Sequence, residues 1–309
     1  MTVLVTGGAG FIGSNLVRAL VSAGESVRVL DDLSTGLVSN LDGLGIEFVE
    51  GSFTDPVAIT SCMRDVVSVV HLGARGSVPR SIADPVATHT ANATGTLMVL
   101  EAARTTGAHV IFSSSSSVYG VNAALPKREE MWTQPMSPYA ASKLAAESYV
   151  MSYRAVYGLD VLAFRFFNVY GPWQRPDQDY AAVIPKFAYR ALRGERVTVN
   201  GDGEQSRDFT HVDSVVSILA DAIRRRVSHD RPVNLAFGEN ISVNAVVDEL
   251  SIQLGRPLAV EHGPAASGDV RQSQNDPGLL LALFPEAQGI PFPTGLASVV
   301  DWLRSVAPG

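Results

Sequence analysis

The sequence predicts an α/β protein built on a doubly wound parallel sheet, followed by a smaller C-terminal lobe. Short apolar runs rich in β-branched residues alternate with helix-length amphipathic segments through the first half of the chain. The runs are almost continuously apolar, as expected for strands that are covered on both faces. After Asn168 this rhythm stops, and segments rich in Gly and Pro interrupt the pattern. The change indicates a second, smaller lobe.

The elements follow from these runs in chain order. The predicted strands of the first half are Thr2–Thr6, Ser26–Leu30, Ile46–Glu50, Val67–Leu72, His109–Ser113 and Val161–Phe167. The second half is expected to contain a helix at Ala182–Leu192 and a short strand in the VTVNG segment. We expect residues 1–167 to form the main domain, rejoined by part of 210–240, and residues 168–309 to form the smaller lobe.

Composition excludes several classes of function. A chain of 309 residues with 46% hydrophobic content can bury a sizeable core, and its net charge of -7 offers no basic surface to a nucleic-acid backbone. Cys62 is the only cysteine, and His71 and His211 lack metal-ligand spacing, so neither a disulfide nor a metal site is expected. The first strand follows the initial Met directly, and no apolar run is long enough for a bilayer. We therefore expect a cytoplasmic protein without a membrane partner.

A glycine-rich turn between the first strand and the first helix predicts a dinucleotide site. Gly7, Gly10 and Gly13 allow a tight turn, a close approach of backbone N–H groups to a pyrophosphate, and packing of the helix on the strand. Asp31 ends the second strand, where a carboxylate can accept hydrogen bonds from a ribose and repel a 2′-phosphate. The pattern predicts a Rossmann-type domain that binds NAD rather than NADP. The alternative is a structural turn followed by a solvated acidic pair.

A tyrosine and a lysine on one helix are candidates for acid–base chemistry. The helix is expected to begin with Ser137 as N-cap and Pro138 in its first turn, which places Tyr139 and Lys143 on one face. At this spacing the lysine ammonium can lower the pKa of the phenol, as a general base requires. A serine run from Ser113 to Ser117 ends a predicted strand, where open α/β sheets bind their ligands. The alternatives are a surface pair and turn-forming serines.

Together these motifs resemble those of the extended short-chain dehydrogenase/reductase family over nearly the whole chain. Later motifs are similar to those of its sugar-nucleotide branch: Phe166-Phe167-Asn168-Val169-Tyr170-Gly171-Pro172, Gly201-Asp202-Gly203, Arg207-Asp208-Phe209 and Gly268-Asp269-Val270-Arg271. The resemblance implies NAD as cofactor, a UDP-sugar as substrate, and a homodimer formed through helices at Asn92–Ala103 and Lys143–Met151. It also implies that Tyr139 is the base, that Lys143 orients the nicotinamide ribose, and that Ser115 holds or relays the sugar hydroxyl proton.

The same resemblance implies the residues that contact each ligand. Those expected at the cofactor are Gly7, Gly10, Phe11, Ile12, Gly13, Asp31, Ser52, Phe53, Leu72, Tyr139, Lys143 and Phe166. Those expected at the substrate are Ser77, Ser115, Ser116, Ser117, Asn168, Arg175, Val183, Arg207 and Arg271. Arg207 and Arg271 would face the diphosphate, where a guanidinium matches phosphate oxygens. The alternative for both arginines is surface salt bridging. Ser52 departs from the family pattern, which usually has Asp near the adenine.

The residues after the catalytic serine imply which reaction follows. Related dehydratases carry an Asp-Glu pair where this chain has Ser116 and Ser117, and UDP-glucuronate decarboxylases carry Glu at the second position. Without these acids the resemblance implies a 4-epimerase, in which Tyr139 takes the C4 hydroxyl proton and NAD takes the C4 hydride. The 4-keto sugar would then turn over and receive the hydride on its other face. A dehydratase, a decarboxylase and a non-catalytic NAD sensor remain alternatives.

Two sets of residues imply different sugars. Arg175 follows Asn168 by seven residues, at a position where the UDP-glucuronate 4-epimerases carry an arginine that approaches the sugar carboxylate. This favours UDP-glucuronate, which would be converted to UDP-galacturonate. The segments Gly76–Ser81 and Tyr180–Pro185 instead resemble those of UDP-N-acetylhexosamine 4-epimerases, and many glucuronate enzymes have Thr where this chain has Asn168. UDP-N-acetylglucosamine and UDP-glucose therefore remain open.

The role of Arg175 has an alternative of its own. A loop arginine at this position can pair with Asp177 or Asp179 instead of a substrate.

Overall fold

A computed structural model describes residues 2–177, 181–264 and 271–306 of the protein. The chain divides into two compact units. The first unit comprises Met1–Ala123, Glu129–Phe166 and Val216–Leu235, and the second comprises Ala124–Arg128, Phe167–Val215 and Ala236–Gly309. None of the helices in these described ranges has the length and apolar character needed to cross a membrane.

The strands confirm the doubly wound parallel sheet. They are β1 Thr2–Thr6, β2 Ser26–Asp31, β3 Glu47–Glu50, β4 Val66–His71, β5 His109–Ser115, β6 Val161–Phe166, β7 Asn168–Tyr170, β8 Val197–Asn200, β9 Ser206–Arg207, β10 Phe209–His211, β11 Val233–Leu235, β12 Ile241–Ser242 and β13 Val260–Gly263. The main sheet has the order β11-β6-β5-β4-β1-β2-β3, and all its neighbouring strands are parallel. Because the strand order reverses at β1 and β4, ligands are expected at the carboxyl ends of these strands.

The first-half strands agree with the sequence prediction to within one or two residues. The largest difference is at β5, which continues beyond Ser113 to Ser115 because its last two residues pair with Arg165 and Phe166 of β6. The serine run therefore belongs partly to the sheet, and its backbone is fixed by strand pairing.

Helices cover both faces of the sheet and build the second unit. They are α1 Phe11–Ser22, α2 Pro56–Cys62, α3 Val78–Ala83, α4 Pro85–His89, α5 Gly95–Thr106, α6 Pro138–Tyr157, α7 Val183–Leu192, α8 Val212–Arg225, α9 Val243–Leu254, α10 Gly278–Leu283 and α11 Phe292–Val306. A short π-helical segment, Thr90–Thr94, joins α4 to α5. Helix α7 begins one residue after its predicted start.

Each unit has its own apolar core. In the first unit, residues of β4 and β5 such as Val69 and Val110 pack against Val99 of α5 and Val150 of α6. In the second unit, Phe187 of α7, Leu250 of α9 and Leu296 of α11 pack around short strand pairs, β7–β10, β9–β12 and β8–β13. Continuous burial of both sheet faces explains why the first-half strands are so uniformly apolar.

Candidate active site

In the turn after β1, backbone atoms approach each other so closely that only glycine fits. Gly7 has a positive φ of 71°, and a Cβ there would lie 2.7 Å from the backbone nitrogen of Gly73. A Cβ at Gly13 would collide with the carbonyl oxygen of Gly7. Helix α1 starts immediately afterwards, with Gly10 as N-cap and no side chain capping its first N–H groups. These N–H groups and the helix dipole suit an anionic pyrophosphate.

Asp31 lies at the end of β2 beside this turn. Its Oδ2 accepts a hydrogen bond from the backbone N–H of Ala9 at 2.9 Å, and its Oδ1 accepts one from that of Leu33 at 2.9 Å. Burial raises the pKa of this carboxyl, and the two backbone hydrogen bonds oppose the rise. Each carboxylate oxygen has a further lone pair that can accept from a ribose hydroxyl. The glycine turn and Asp31 therefore fit NAD.

The remaining residues expected at the cofactor meet at one edge of the sheet. Leu72 follows β4, Phe166 ends β6, and Ser52 and Phe53 follow β3, while Phe11 and Ile12 form the first turn of α1. The ring of Phe53 packs edge-on against His71 with a centroid distance of 5.0 Å. The Ser52 hydroxyl is hydrogen bonded to that of Thr54 at 2.7 Å. This edge carries the carboxyl ends of parallel strands, where a doubly wound sheet binds its ligand.

Tyr139 and Ser115 form a hydrogen-bonded pair between α6 and the end of β5. The Ser137 hydroxyl caps α6 by accepting from the N–H of Ala140 at 3.1 Å, which places Tyr139 in the first turn. Burial raises the pKa of the Tyr139 phenol, and its hydrogen bond with Ser115 partly lowers it. Ser115 also accepts a hydrogen bond from the hydroxyl of Ser117 at 2.8 Å. The hydroxyls of Ser117, Ser115 and Tyr139 thus form a connected chain.

Lys143 is held one helical turn further along α6. Its Nζ donates to the backbone carbonyl of Ser113 at 2.7 Å and lies 5.1 Å from the ring centroid of Phe112. Burial lowers the pKa of the ammonium to about 7. Burial raises the pKa of the Tyr139 phenol in this structure and the hydrogen bond with Ser115 opposes the rise, so the lowering of this pKa by Lys143 stays a prediction.

The other substrate candidates of the first unit lie at helix and strand ends. Ser77 caps α3 by accepting from the N–H of Arg80 at 3.2 Å. Ser116 and Ser117 open a 3₁₀ turn that follows β5. The backbone N–H of Ser117 donates to Ser115 Oγ at 3.2 Å. This local turn fixes the orientation of the serine run beside Tyr139.

The substrate candidates of the second unit lie on short strands and loops. Asn168 begins β7, Val183 begins α7, and Arg207 on β9 donates to the carbonyl of Ser206 at 2.8 Å. The Arg271 guanidinium pairs with Asp202 at 3.0 Å, and both side chains are exposed. The motif residues Tyr180 and Gly268 to Val270 lie outside the described residues.

Arg175 is paired within its own loop. Its Nε donates to Asp177 Oδ1 at 2.9 Å and its Nη2 donates to Oδ2 at 2.7 Å. This ion pair matches one of the partners considered from the sequence; the other, Asp179, lies outside the described residues. The pKa of Asp177 is lowered by its hydrogen bond with Arg175, so the carboxylate is ionised at neutral pH.

Sequence reasoning missed a buried ion pair behind the serine run. Glu147 of α6 and Arg165 of β6 are in contact at 2.7 Å, and each side chain is only 5% exposed. The signal was present in two places: an arginine interrupts the apolar run VLAFRF, and Glu147 follows Lys143 by one helical turn. Within the described ranges, no group of three or more His, Cys, Asp or Glu side chains could hold a metal ion.

Comparisons with known proteins agree over nearly the full chain. A family model described as the NAD-dependent epimerase/dehydratase family matches residues 3–236. A UDP-glucose 4-epimerase of Mycolicibacterium smegmatis is 36% identical and covers 99% of both chains. A probable UDP-glucuronate 4-epimerase of Rhizobium meliloti is 29% identical and covers 98% of this chain and 96% of its own. The UDP-N-acetylglucosamine 4-epimerase structure from Methanobrevibacter ruminantium, solved with UDP-N-acetylmuramic acid, is 35% identical, covers 98% of both chains and has a TM-score of 0.94.

Proposed function

The chain belongs to the NAD-dependent epimerase/dehydratase family and is an NAD-dependent UDP-sugar 4-epimerase; we propose that its preferred substrate is UDP-glucuronate. Membership confirms the resemblance to extended short-chain dehydrogenases/reductases and the expectation of NAD. The choice of UDP-glucuronate is supported by Arg175, a side chain of the second unit.

The proposed chemistry assigns the proton transfer to the Ser115–Tyr139 pair. Tyr139 takes the C4 hydroxyl proton as general base, and Ser115 holds the same hydroxyl. NAD, which the glycine turn at Gly7, Gly10 and Gly13 and the Asp31 carboxylate would hold, would supply the acceptor for the C4 hydride and its return to the sugar. Lys143, whose pKa is about 7, gains or loses its charge near neutral pH and so can tune the phenol. Ser116 and Ser117 offer no acid for dehydration or decarboxylation.

The observation that carries the choice of a uronate is Arg175, which follows Asn168 by seven residues and whose guanidinium is held in a bidentate contact with a carboxylate, that of Asp177. The guanidinium already presents a fork to a carboxylate, the geometry that a C6 carboxylate would use. The Asp177 side chain is 56% exposed. An exposed pair of this kind contributes about 1 kcal/mol or less to stability. A substrate carboxylate can therefore replace Asp177 at little cost.

A second candidate is a neutral UDP-hexose or UDP-N-acetylhexosamine. The same ion pair supports it, because Asp177 already neutralises Arg175 without a substrate charge. Two of the relatives carry names of enzymes that act on UDP-glucose and UDP-N-acetylglucosamine. Asn168 also stands where many glucuronate enzymes have Thr.

Substitutions in the Arg175–Asp177 pair, assayed with each UDP-sugar, distinguish a uronate from a neutral-sugar substrate. We expect Arg175→Gln to lower kcat/KM for UDP-glucuronate about tenfold or more while leaving UDP-glucose and UDP-N-acetylglucosamine within about twofold, because one charge-assisted contact is lost. Asp177→Asn should raise kcat/KM for UDP-glucuronate by removing the competing carboxylate. Each product is resolved by anion-exchange chromatography and NMR.

Arg193→Gln is the matched control, because Arg193 and Glu195 form an exposed pair with the same two-residue spacing. Equal losses on all three sugars, or no loss on UDP-glucuronate, would reject the uronate and support a neutral sugar.

We also propose that the enzyme is a homodimer. Of the two segments implied for the interface, Lys143–Met151 exposes Tyr149, whereas Asn92–Ala103 exposes no large apolar side chain; Val156 and Tyr157 further along α6 and Val86 of α4 are also exposed. These apolar side chains suit an isologous helix packing, and light scattering of the purified protein tests it.

A further inference from the structure

Three residues of α6 are hydrogen bonded to three consecutive residues of β5. Tyr139 is hydrogen bonded to Ser115, Lys143 Nζ donates to the carbonyl of Ser113 at 2.7 Å, and Glu147 Oε2 accepts from the hydroxyl of Ser114 at 2.6 Å. The helix residues are spaced by four, so they form one line along the same face. The first two contacts belong to the candidate catalytic set. The third has no part in the chemistry above, although it is made by the residue directly before Ser115.

The third contact carries a buried charge pair. Glu147 Oε1 accepts from Arg165 Nη2 at 2.7 Å, and its Oε2 accepts from Arg165 Nε at 3.0 Å. Arg165 lies directly opposite Ser114 in the parallel register of β5 and β6. A buried ion pair of this kind need not stabilise the fold, because its replacement by apolar residues of similar volume often leaves the free energy of unfolding unchanged or higher. Here the pair fixes the orientation of the Glu147 carboxylate, which accepts the hydrogen bond from the Ser114 hydroxyl.

The same arginine also holds the chain after Ser115. Its Nη1 donates to the hydroxyl of Tyr119 at 2.9 Å, and its guanidinium carbon lies 4.8 Å from the Tyr119 ring centroid. Tyr119 ends the 3₁₀ turn that begins at Ser116 and donates in turn to Asn234 Oδ1 at 2.8 Å. The ion pair therefore fixes the residue before Ser115 and the end of the turn that follows it.

We propose that Glu147, with Arg165 as its counter-ion, is a positioning residue that acts through Ser114 to set the separation of the Ser115 hydroxyl and the Tyr139 phenol. The inference rests on the 4-epimerase activity but not on the choice of sugar. A small displacement of a reacting group can cost on the order of a hundredfold in rate, so a loose serine would lower kcat without changing sugar binding.

Ser114→Ala tests this directly, because it removes the link and leaves the ion pair in place. We expect kcat to fall about tenfold with an unchanged KM, in a protein that still unfolds cooperatively but at a somewhat lower midpoint because one buried hydrogen bond is lost. The acid limb of the kcat–pH profile should also move to higher pH, since the hydrogen bond from Ser115 lowers the pKa of Tyr139 and would be weakened. Ser152→Ala is the control, as its hydroxyl donates only to the carbonyl of Ser148 on an exposed part of α6.

A second variant guards against misfolding. Glu147→Leu combined with Arg165→Met replaces the pair by apolar groups and should fold, yet show the same fall in kcat and the same shift in pH profile as Ser114→Ala. All assays use whichever of UDP-glucuronate, UDP-glucose and UDP-N-acetylglucosamine the wild type converts fastest. That ranking reports on the proposed substrate, whereas the ratio of variant to wild type reports on positioning. A wild-type kcat and pH profile in either variant would overturn the proposal.

Discussion

The two units hold their candidate functional side chains in different ways. In the first unit, Lys143 and Glu147 are buried and reach the end of β5 through hydrogen bonds of 2.7 and 2.6 Å. In the second unit, Arg175 is paired with exposed Asp177 of the same loop, and Arg271 is paired with exposed Asp202, which is 69 residues away along the chain. A buried contact cannot exchange with water, whereas an exposed ion pair can give up its partner at small cost. The groups that hold β5 beside the proposed proton-transfer pair are thus fixed in advance, and those proposed for substrate binding are exchangeable.

The largest expected effect is that of a substitution at Tyr139, in the proton-transfer pair of the first unit. We expect Tyr139→Phe to lower kcat by about 10²- to 10⁴-fold with little change in KM, because it removes only the proton-accepting hydroxyl. The epimerisation rate at saturating UDP-sugar measures it. Tyr189→Phe, on α7 of the second unit, should keep wild-type activity. A Tyr139→Phe enzyme that retained a tenth of the activity would show that another group takes the proton.

The fold and the fixed site were largely readable from sequence because their signals are local. Strand and helix periods, the spacing of Gly7, Gly10 and Gly13, and the four-residue spacing of Tyr139 and Lys143 all involve neighbours along the chain. Spacing placed Lys143 on the right face, but it could not indicate that Nζ would donate to the carbonyl of Ser113. That contact depends on how α6 packs on β5.

Other contacts depended on strand register, which no local pattern gives. The Glu147–Arg165 pair exists because β6 places Arg165 opposite Ser114, and Ser114 is far from both in sequence. The partners of the Arg175–Asp177 pair, by contrast, are only two residues apart in the chain, and Asp177 was one of the two partners that the sequence suggested for Arg175. Local partners were therefore foreseen, and partners brought together by the sheet were missed.

Asp208 differs from the exposed charged groups of the second unit because its carboxyl is buried. Asp208 is fully buried, and its Oδ2 accepts hydrogen bonds from the N–H groups of Gly238 and Asn275, each at 2.9 Å. Burial raises its pKa from 3.8 to about 7 against these two bonds, with a smaller rise from the charge of Glu239.

The raised pKa of Asp208 fixes the sign of a pH effect on stability. Between pH 3.8 and about 7 the folded protein keeps a proton that the unfolded chain has lost, so the free energy of unfolding should fall as pH rises through this window. The expected contribution is on the order of 4 kcal/mol, from about 1.4 kcal/mol per pKa unit. Urea unfolding of wild type and Asp208→Asn at several pH values measures it, since asparagine cannot ionise. Parallel curves for the two proteins would show that Asp208 is ionised throughout.

The smallest expected effect concerns the exchangeable pair Arg271–Asp202. Asp202→Asn keeps the acceptor oxygen for the N–H of Glu204, which the aspartate holds at 3.0 Å, and removes only the charge that faces Arg271. We expect an unchanged unfolding midpoint, because an exposed ion pair contributes little. If Arg271 binds the diphosphate, the freed guanidinium should tighten UDP binding about two- to fivefold in calorimetry, and more at low salt than at high salt. Asp301→Asn, which releases the exposed Arg304 of α11, should leave UDP affinity unchanged. Equal affinities for wild type and Asp202→Asn would instead assign Arg271 to surface salt bridging, and the contrast between fixed and exchangeable groups would then depend on Arg175 alone.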